Sequence, residues 1–200
     1  MSLTVRYMRL ADVPQVVTID HQSFNPPWTA RSYAYEITES TYSHMMVVEE
    51  AGKPQPQSFW QRLLGVPPEQ PRRIVSYGGL WQIADEAHIS TIASHPLLRG
   101  QGFGEIALAG MVQKALNQHA SYIVLEVRVS NVSAQKLYEK YGFEVFDLKK
   151  HYYSNNGEDA YDMRLNLVDA AVRGRVSQRF AALRERMPFA DEYTQTARVR

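Results

Sequence analysis

Three glycines alternate with other residues where a strand-like run gives way to a helix-like one. The segment from Arg99 to Gly104 reads RGQGFG, and the apolar run before it ends at Ser94. From Glu105 to Leu116, apolar residues recur every three or four positions, as on one face of a helix. Glycines in such a turn let the backbone approach a ligand, and the helix N-terminus adds partial positive charge. The segment predicts a phosphate or pyrophosphate site, with a tight structural turn as the alternative.

The same glycines also fit the fingerprint of a dinucleotide-binding domain. Gly102, Gly104 and Ala107 match its spacing, and Glu126 lies in the next strand-like run. A dinucleotide-binding domain continues with further strand–helix units. Here only one more helix-like segment follows, at 131–141, and then two strand-like runs joined by a turn. The downstream order of elements therefore argues against this alternative.

Composition limits the classes of protein and of chemistry. The 200 residues suit one domain with additions, or one domain and a small second one. A formal net charge of +1 gives no bulk electrostatic reason to expect nucleic acid or an anionic membrane as a partner. The absence of cysteine excludes disulfides, thiolate metal sites and cysteine nucleophiles, and the 6 histidines show no metal-ligand spacing. Without a signal peptide or an apolar run of about 18 residues, we expect a soluble cytoplasmic protein without a metal ion.

Strand-like and helix-like runs alternate along the first half of the chain. The Asn25-Pro26-Pro27-Trp28 run forces a break, because the residue before a proline leaves the helical region. Residues 51–73 hold half of the chain's 10 prolines, so we expect an insertion there with one short helix at 58–64. Strands are predicted at 3–10, 42–49, 74–82 and 86–94, and helices at 12–24 and 30–38.

The second half continues from the glycine turn into a helix that reaches about His119. Strands are predicted at 121–129, 143–153 and 160–167, with the helix at 131–141 between the first two. Residues 168–200 are predicted to be an appendage, whose apolar stripe and arginines form an amphipathic helix at 168–187. We expect this helix to dock on its own domain or on a partner subunit, with a membrane surface or RNA as the alternative contact. Disorder is expected after Pro188.

Two motifs, taken with this order of elements, resemble a known enzyme family. The glycine turn is followed by Asn131-x-x-Ala134-x-x-Leu137-Tyr138-x-x-x-Gly142-Phe143, and the run KKHYYSNNGEDAYDMRL comes shortly after. In these features the chain resembles the GNAT acetyltransferase superfamily. It is closer still to the RimI-type branch, whose members acetylate the N-terminus of ribosomal protein S18. The resemblance covers residues 1–50 and 74–167, but neither the insertion nor the C-terminal helix.

The resemblance implies a fold and a domain organisation. The fold class would be α/β (α+β mixed): a GNAT-like twisted mixed sheet, flanked by helices, whose two central parallel strands splay apart. Acetyl-CoA would lie in the opening between those two strands. The N-acetyltransferase domain would span 1–167, including the proline-rich insertion at 51–73, and 168–200 would be a C-terminal helix and tail.

For acetyl-CoA, the resemblance implies binding residues along the strand, the turn and the helix that follow one another here. Backbone N–H groups of the turn would hold the pyrophosphate, with Arg99 as the basic residue at its start. The pantetheine arm would pair with the strand and contact the side chain of Asn131, for which a plain helix cap is the alternative. The expected cofactor-binding residues are Ile92, Ala93, Ser94, Arg99, Gly100, Gln101, Gly102, Phe103, Gly104, Glu105 and Asn131.

Glu126 is the expected general base. An α-amine has a pKa of about 8, so roughly one in ten is neutral at pH 7, and a modest base suffices for an N-terminal substrate. Glu126 is the one carboxylate in the apolar run 122–127, where burial is expected to raise its pKa toward a useful value. In the resembling family a glutamate at this place serves as the base. The alternative is that Glu126 pairs with Arg128 on the same strand face.

Tyr138 is the expected general acid, which protonates the departing CoA thiolate. Its place in the Leu-Tyr-x-x-x-Gly-Phe motif carries this role by resemblance, and a core tyrosine is the alternative. The resemblance also implies that Phe24, Trp28, Tyr152 and Tyr153 shape the groove for the acceptor peptide. Family members usually show one proline before the tryptophan, whereas this chain has two, so the specificity for the acceptor stays open.

Three functions are compatible with these residues. The first is an Nα-acetyltransferase that acts by direct attack in a ternary complex on a protein N-terminus, such as that of ribosomal protein S18. The second is a lysine or small-molecule amine acetyltransferase, and the third is a non-catalytic acyl-CoA-binding module. The presence of both Glu126 and Tyr138 favours an enzyme. The expected partners are acetyl-CoA and a peptide or protein N-terminus, without nucleic acid or membrane, and a homodimer is left open.

Overall fold

A computed structural model describes residues 2–52, 63 and 71–195 of the chain. Eight strands are present: β1 (Ser2–Tyr7), β2 (Ser43–Ala51), β3 (Arg72–Ile83), β4 (Glu86–Ser94), β5 (Tyr122–Arg128), β6 (Glu144–Tyr153), β7 (Glu158–Asn166) and β8 (Phe189–Glu192). The helices are α1 (Val13–His21), α2 (Ala30–Thr38), α3 (Phe103–Asn117), α4 (Val132–Lys140) and α5 (Ala170–Arg186). Short 3-10 turns lie at Leu10–Asp12 and Pro96–Leu98.

All eight strands form one twisted sheet in the order β6-β7-β5-β4-β3-β2-β1-β8. The neighbours β4 and β5 at its centre run parallel, and β8 runs parallel to β1 at one edge. β4 and β5 pair only where residues 86–88 lie beside residues 122–124. Beyond those positions the two strands separate. The expected mixed sheet with splayed central parallel strands is confirmed.

Helices cover both faces of the sheet, because the central strands are apolar on both sides. In β2, Met46 and Val48 face the core shared with α3, α4 and α5, whereas Met45 and Val47 face the core shared with α1 and α2. α3 is buried from Ile106 to Leu116, and therefore on nearly every side rather than along one face as the spacing predicted. Each large side chain buried in this way contributes roughly 1.5–3 kcal/mol. Within the described ranges, none of the helices combines the length and the apolar character that a membrane crossing requires.

Most predicted elements are present, with ends that differ by a few residues. α2 and β4 have the predicted bounds, whereas β1 ends at Tyr7 rather than at residue 10. The difference follows from the 3-10 turn at Leu10–Asp12, which begins three residues after the last β1–β2 pair at Tyr7. The short helix predicted at 58–64 lies outside the described residues except for Leu63.

The segment after residue 167 is built into the same sheet and core as the rest of the chain. α5 buries Val176, Phe180 and Leu183, in one core cluster with α3. β8 follows directly and adds to β1, and the buried Tyr193 hydroxyl donates to the carbonyl of His44 at 2.9 Å. The prediction of disorder after Pro188 is therefore wrong as far as residue 195. Phe189 in β8 and Tyr193 just after the strand are buried in the same core cluster, a pattern too short to be recognised without its partner strand.

Candidate active site

A cavity of about 300 Å³ lies where β4 and β5 separate. Its walls come from these two strands, α4, the end of β6 and the loop between α1 and α2. The lining includes eight of the predicted site residues: Phe24, Trp28, Ile92, Glu126, Asn131, Tyr138, Tyr152 and Tyr153. A larger cavity, of about 570 Å³, lies between α4, α5 and β6, and none of the predicted site residues lines it.

Glu126 lies just past the point where the two parallel strands separate, and its carboxylate is shared between two neighbours. Oε1 accepts a hydrogen bond from Lys149 Nζ at 2.6 Å, and Oε2 lies 2.8 Å from His88 Nε2. Lys149 also pairs with Asp162 at 2.9 Å. These contacts join β4, β5, β6 and β7, and the Glu126 side chain is 14% exposed. The cavity therefore contains a carboxylate that is oriented by fixed neighbours.

The pKa of Glu126 differs from the expectation. Burial by itself raises this pKa, but the hydrogen bonds and charges of His88 and Lys149 outweigh burial and lower the pKa to about 2. The prediction that burial raises it is therefore wrong. The alternative pairing with Arg128 is wrong as well, because Arg128 binds Glu158 at 2.8 Å and stacks on Tyr153 at 3.7 Å. His88 on β4 and Lys149 on β6 are closer partners for Glu126 than Arg128, which is the next residue on the same face of β5.

Tyr138 presents a protonated phenol to the cavity. Its side chain is buried against Phe143, and its hydroxyl has no hydrogen-bond partner within the described ranges. Burial raises its pKa above the ordinary value for tyrosine, and the nearby Tyr153 acts in the same direction. A phenol in this state keeps its proton at neutral pH, as a proton donor must.

The glycine turn forms an open cradle of backbone N–H groups before α3. Gly100 and Gly102 have φ angles of 77° and 88°, which favour glycine. The backbone N–H groups of Gly100 and Gly102 donate to no acceptor in the described chain, and a Cβ placed on Gly100 would meet nothing within 4 Å. Unpaired donors at the N-terminus of a long helix suit an anionic group. The space beside Gly102 is filled, unlike that beside Gly100, because a Cβ on Gly102 would lie 2.7 Å from Met187 Sδ.

The remaining predicted cofactor residues differ in where their side chains lie. Arg99 is exposed, and its Nη2 donates to Ser23 Oγ at 3.3 Å. Asn131 accepts from the N–H of Ala134 at 3.2 Å, so it does cap α4, and its amide nitrogen has no partner in the described chain. Ala93 packs in the core on the α1 and α2 face of the sheet. Phe103 is buried in the core on the opposite face, and Gly104 and Ser94 approach each other closely.

An aromatic rim surrounds the outer part of the cavity. The backbone N–H of Trp28 donates to Asp20 Oδ2 at 2.7 Å, and Asp20 is buried beneath the hydroxyls of Tyr33 and Tyr77. The Trp28 indole stacks on Trp81 with a centroid distance of 6.3 Å. The Asn25–Pro26 bond in this loop is cis. The rim is completed by Phe24 at 39% and Tyr152 at 47% exposure, so apolar surface is available to a peptide.

His88 and Lys149 contact the Glu126 carboxylate, and the sequence analysis did not single them out. Alternation along β4 and β5 could have placed His88 on the face of Glu126. Lys149 could not have been found in that way, because it reaches Glu126 only through the strand order β6-β7-β5. No group of three or more His, Asp or Glu side chains in the described part of the chain is arranged to hold a metal ion.

Two relatives are named as N-acetyltransferases. A Bacillus subtilis protein, named as a candidate [ribosomal protein bS18]-alanine N-acetyltransferase, is 37% identical over 159 residues. The alignment covers 80% of this chain and 92% of that protein. The N-alpha-acetyltransferase RimI of Mycobacterium tuberculosis is 26% identical over 173 residues, which cover 84% of this chain and 94% of that protein.

Solved structures share the fold, and a family model matches the sequence. The ribosomal-protein-S18-alanine N-acetyltransferase of Escherichia coli superposes with a TM-score of 0.65 at 23% identity, over 84% of this chain and 96% of that one. A chain of the NatC complex bound to Gag peptide and CoA superposes with a TM-score of 0.63 at 18% identity, over 84% and 100%. The sequence model of the acetyltransferase (GNAT) family matches residues 13–143. This chain therefore belongs to the GNAT acetyltransferase family and is an acyltransferase.

Proposed function

We propose that this protein transfers the acetyl group of acetyl-CoA to the N-terminal α-amine of a protein, and that ribosomal protein S18 is its acceptor. One observation carries the proposal: the oriented carboxylate of Glu126 and the protonated, unpartnered hydroxyl of Tyr138 line the same cavity. A proton acceptor and a proton donor are what acyl transfer from a thioester to an amine requires. The similarity to relatives named as bS18-alanine N-acetyltransferases supports this choice of acceptor.

The residues present fit acetyl-CoA, which supplies the acetyl thioester. β4 has no β5 partner beyond His88, so its backbone groups on that side are available to the amides of a pantetheine arm. The free amide nitrogen of Asn131 lies at the same cavity. The unpaired N–H groups of Gly100 and Gly102 suit the pyrophosphate. These donors run from the cavity to the start of α3, which is the direction that the cofactor would follow.

The proposed reaction is a direct attack in a ternary complex. The acceptor nitrogen forms a bond to the thioester carbonyl carbon, and the carbon–sulfur bond breaks. Glu126 takes the proton that the nitrogen loses as it acquires positive charge, and the Tyr138 hydroxyl gives its proton to the departing sulfur. Because burial keeps the pKa of Tyr138 high, its phenolate regains a proton readily. The neighbours of Glu126, Lys149 and His88, hold the carboxylate in place throughout.

The low pKa of Glu126 favours an α-amine over a lysine as the acceptor. A carboxylate with a pKa of about 2 is a weak base, so the acceptor must arrive largely neutral. Roughly one α-amine in ten is neutral at pH 7, against roughly one lysine in several thousand. The carboxylate then needs only to orient the amine and to remove the proton after attack. A lysine acetyltransferase remains the second function to test.

Mass spectrometry of peptides incubated with acetyl-CoA tests this function. The panel contains the organism's own S18 N-terminal peptide with a free α-amine. The same sequence with a blocked N-terminus and an internal lysine is the matched control. We expect acetylation of the free α-amine and none of the blocked peptide. Modification only at lysine would overturn the choice of acceptor, and no modification of any peptide would overturn the assignment to protein N-termini.

A further inference from the structure

The end of α5 touches the glycine turn. Met187 packs against Gly102 so closely that a Cβ on that glycine would lie 2.7 Å from its sulfur. Next to it, Arg186 Nη2 donates to Glu105 Oε2 at 2.8 Å, in the first turn of α3. The family model matches only residues 13–143, so both contacts come from a part of the chain outside it. The appendage therefore meets the expected phosphate site directly.

Glu105 stands at a position where its charge would oppose a bound phosphate. A carboxylate in the first turn of a helix is favourable for the helix itself, but it competes with any other anion at that N-terminus. Here Lys140 Nζ binds Oε1 at 2.5 Å and Arg186 binds Oε2, while the Tyr141 hydroxyl donates to Oε1 at 3.2 Å. One negative and two positive charges leave this cluster with a net charge of +1. Arg186 converts a neutral pair into a cationic cluster.

The exposure of the three charged groups agrees with this interpretation. The Glu105 side chain is 13% exposed, whereas Lys140 and Arg186 are 38% and 56% exposed. The carboxylate is thus covered, and its two cationic partners are partly exposed to solvent. Burial raises the pKa of Glu105, but Lys140 and Arg186 outweigh it, so the pKa lies below the ordinary value and the carboxylate stays ionised.

The end of α5 is held firmly enough to position the turn. Phe180 and Leu183 are buried in the same core as α3, and the Phe180 ring meets Phe189 of β8 at a centroid distance of 5.9 Å. Both α5 and the strand after it are therefore anchored on either side of Met187. A side chain fixed in this way restricts the backbone of Gly102, and restricting a binding loop before the ligand arrives improves affinity.

We propose that the C-terminal segment completes the site for the phosphates of CoA. Arg186 offsets the charge of Glu105 and supplies positive potential to the turn, and Met187 holds the turn in its open shape. Both are positioning residues. The inference rests on the proposed function, because it takes the glycine turn to be the phosphate site.

Calorimetric titration of CoA into the full-length chain tests the role of Arg186. Arg186→Gln is compared with Arg184→Gln, whose guanidinium lies 5.7 Å from the Phe189 ring centroid and has no contact with Glu105 in the described chain. We expect Arg186→Gln to weaken CoA binding about threefold to tenfold at low salt, and less at high salt, because the effect is electrostatic. Arg184→Gln should bind as the parent does. Equal affinities for the two variants would overturn the role of Arg186.

Two further measurements distinguish an electrostatic role of Arg186 from a loss of structure in the glycine turn. Glu105→Gln removes the opposing charge, so we expect CoA to bind more tightly than to the parent. A purely structural ion pair predicts weaker binding instead. Acetyl-pantetheine lacks the phosphates, so its KM should be the same for Arg186→Gln and the parent. A raised KM for acetyl-pantetheine would contradict the proposal.

Met187→Ala tests the positioning of the turn. We expect weaker CoA binding at both low and high salt, because this contact carries no charge. CoA affinity equal to that of the parent would overturn the role of Met187. A parent protein that does not bind CoA, or that acetylates no amine, would refute the proposed function itself. A parent that binds CoA, with variants that bind it equally well, refutes only the inference about the C-terminal segment.

Discussion

Replacing Glu126 with Gln removes a buried charge while keeping the shape of the side chain. In the parent, Lys149 and His88 lower the pKa of Glu126 from 4.5 to about 2. Each pKa unit corresponds to about 1.36 kcal/mol, so the native contacts of the carboxylate stabilise the fold by at most about 3 kcal/mol at pH 7. Lys149 keeps Asp162 as a partner in the variant. We therefore expect Glu126→Gln to lower the free energy of unfolding by about 2 kcal/mol.

The sign of the pH dependence follows from the lowered pKa. A carboxyl group whose pKa is lower in the folded than in the unfolded state stabilises the fold above the unfolded pKa. That stabilisation is lost as the pH falls from about 4.5 toward 2. Urea unfolding at pH 7 and at pH 3 should thus show a difference between the parent and Glu126→Gln that falls by more than half. The exposed Glu139, replaced with Gln, is the control and should match the parent at both values. A difference of the same size at pH 3 and pH 7 would refute the reasoning.

The Glu126→Gln variant also distinguishes a catalytic role of Glu126 from a purely structural one. Because the pKa of Glu126 is about 2, its charge does not change from pH 6.5 to 9, whereas the acceptor amine deprotonates in this range. We expect Glu126→Gln to lose about 100-fold in rate at pH 7, the low end for general-base catalysis, and less toward pH 9, where the amine deprotonates unaided. CoA binding should be unchanged. A variant that is less stable but as active as the parent would show that Glu126 only holds Lys149 and His88 in place.

Three other variants test the remaining parts. Tyr138→Phe should bind CoA but lose rate equally from pH 6.5 to 9, since raising the pH does not protonate the leaving sulfur; recovery of rate at high pH would exclude it as the acid. Gly102→Ala should lose at least about 1–2 kcal/mol in urea unfolding, because φ is 88° and its Cβ would clash with Met187, and Gly174→Ala, where a Cβ meets nothing, is the control. Truncation after Leu167 should leave an unfolded chain by circular dichroism, because it removes five buried hydrophobic side chains worth roughly 1.5–3 kcal/mol each from a total of about 5–15 kcal/mol. A folded, active truncation would refute that prediction.

The elements that were predicted correctly are specified by residues that lie close together in the sequence. α2 begins where Thr29 Oγ1 accepts from the N–H of Ser32 at 3.0 Å, and α4 begins where Asn131 does the same for Ala134. Each cap and the apolar spacing after it lie within one short stretch of sequence. β8 was missed for the opposite reason. Only Phe189 of its four residues is buried, and the segment is a strand only because β1 lies beside it. That partner is far away along the chain.

The glycine turn and the motif around Tyr138 could be identified in the sequence, because each is a short pattern of residues that adopts one backbone conformation. The pKa of Glu126 could not be predicted from the sequence. Its residue type and its apolar neighbours predicted a raised pKa, yet strands β4 and β6 bring His88 and Lys149 to its two oxygens. Likewise, glycine at 102 was expected for its backbone freedom, but the Met187 contact that also requires it comes from α5. Propensity and motif act over a few residues, whereas charge state and steric fit depend on which distant elements become neighbours.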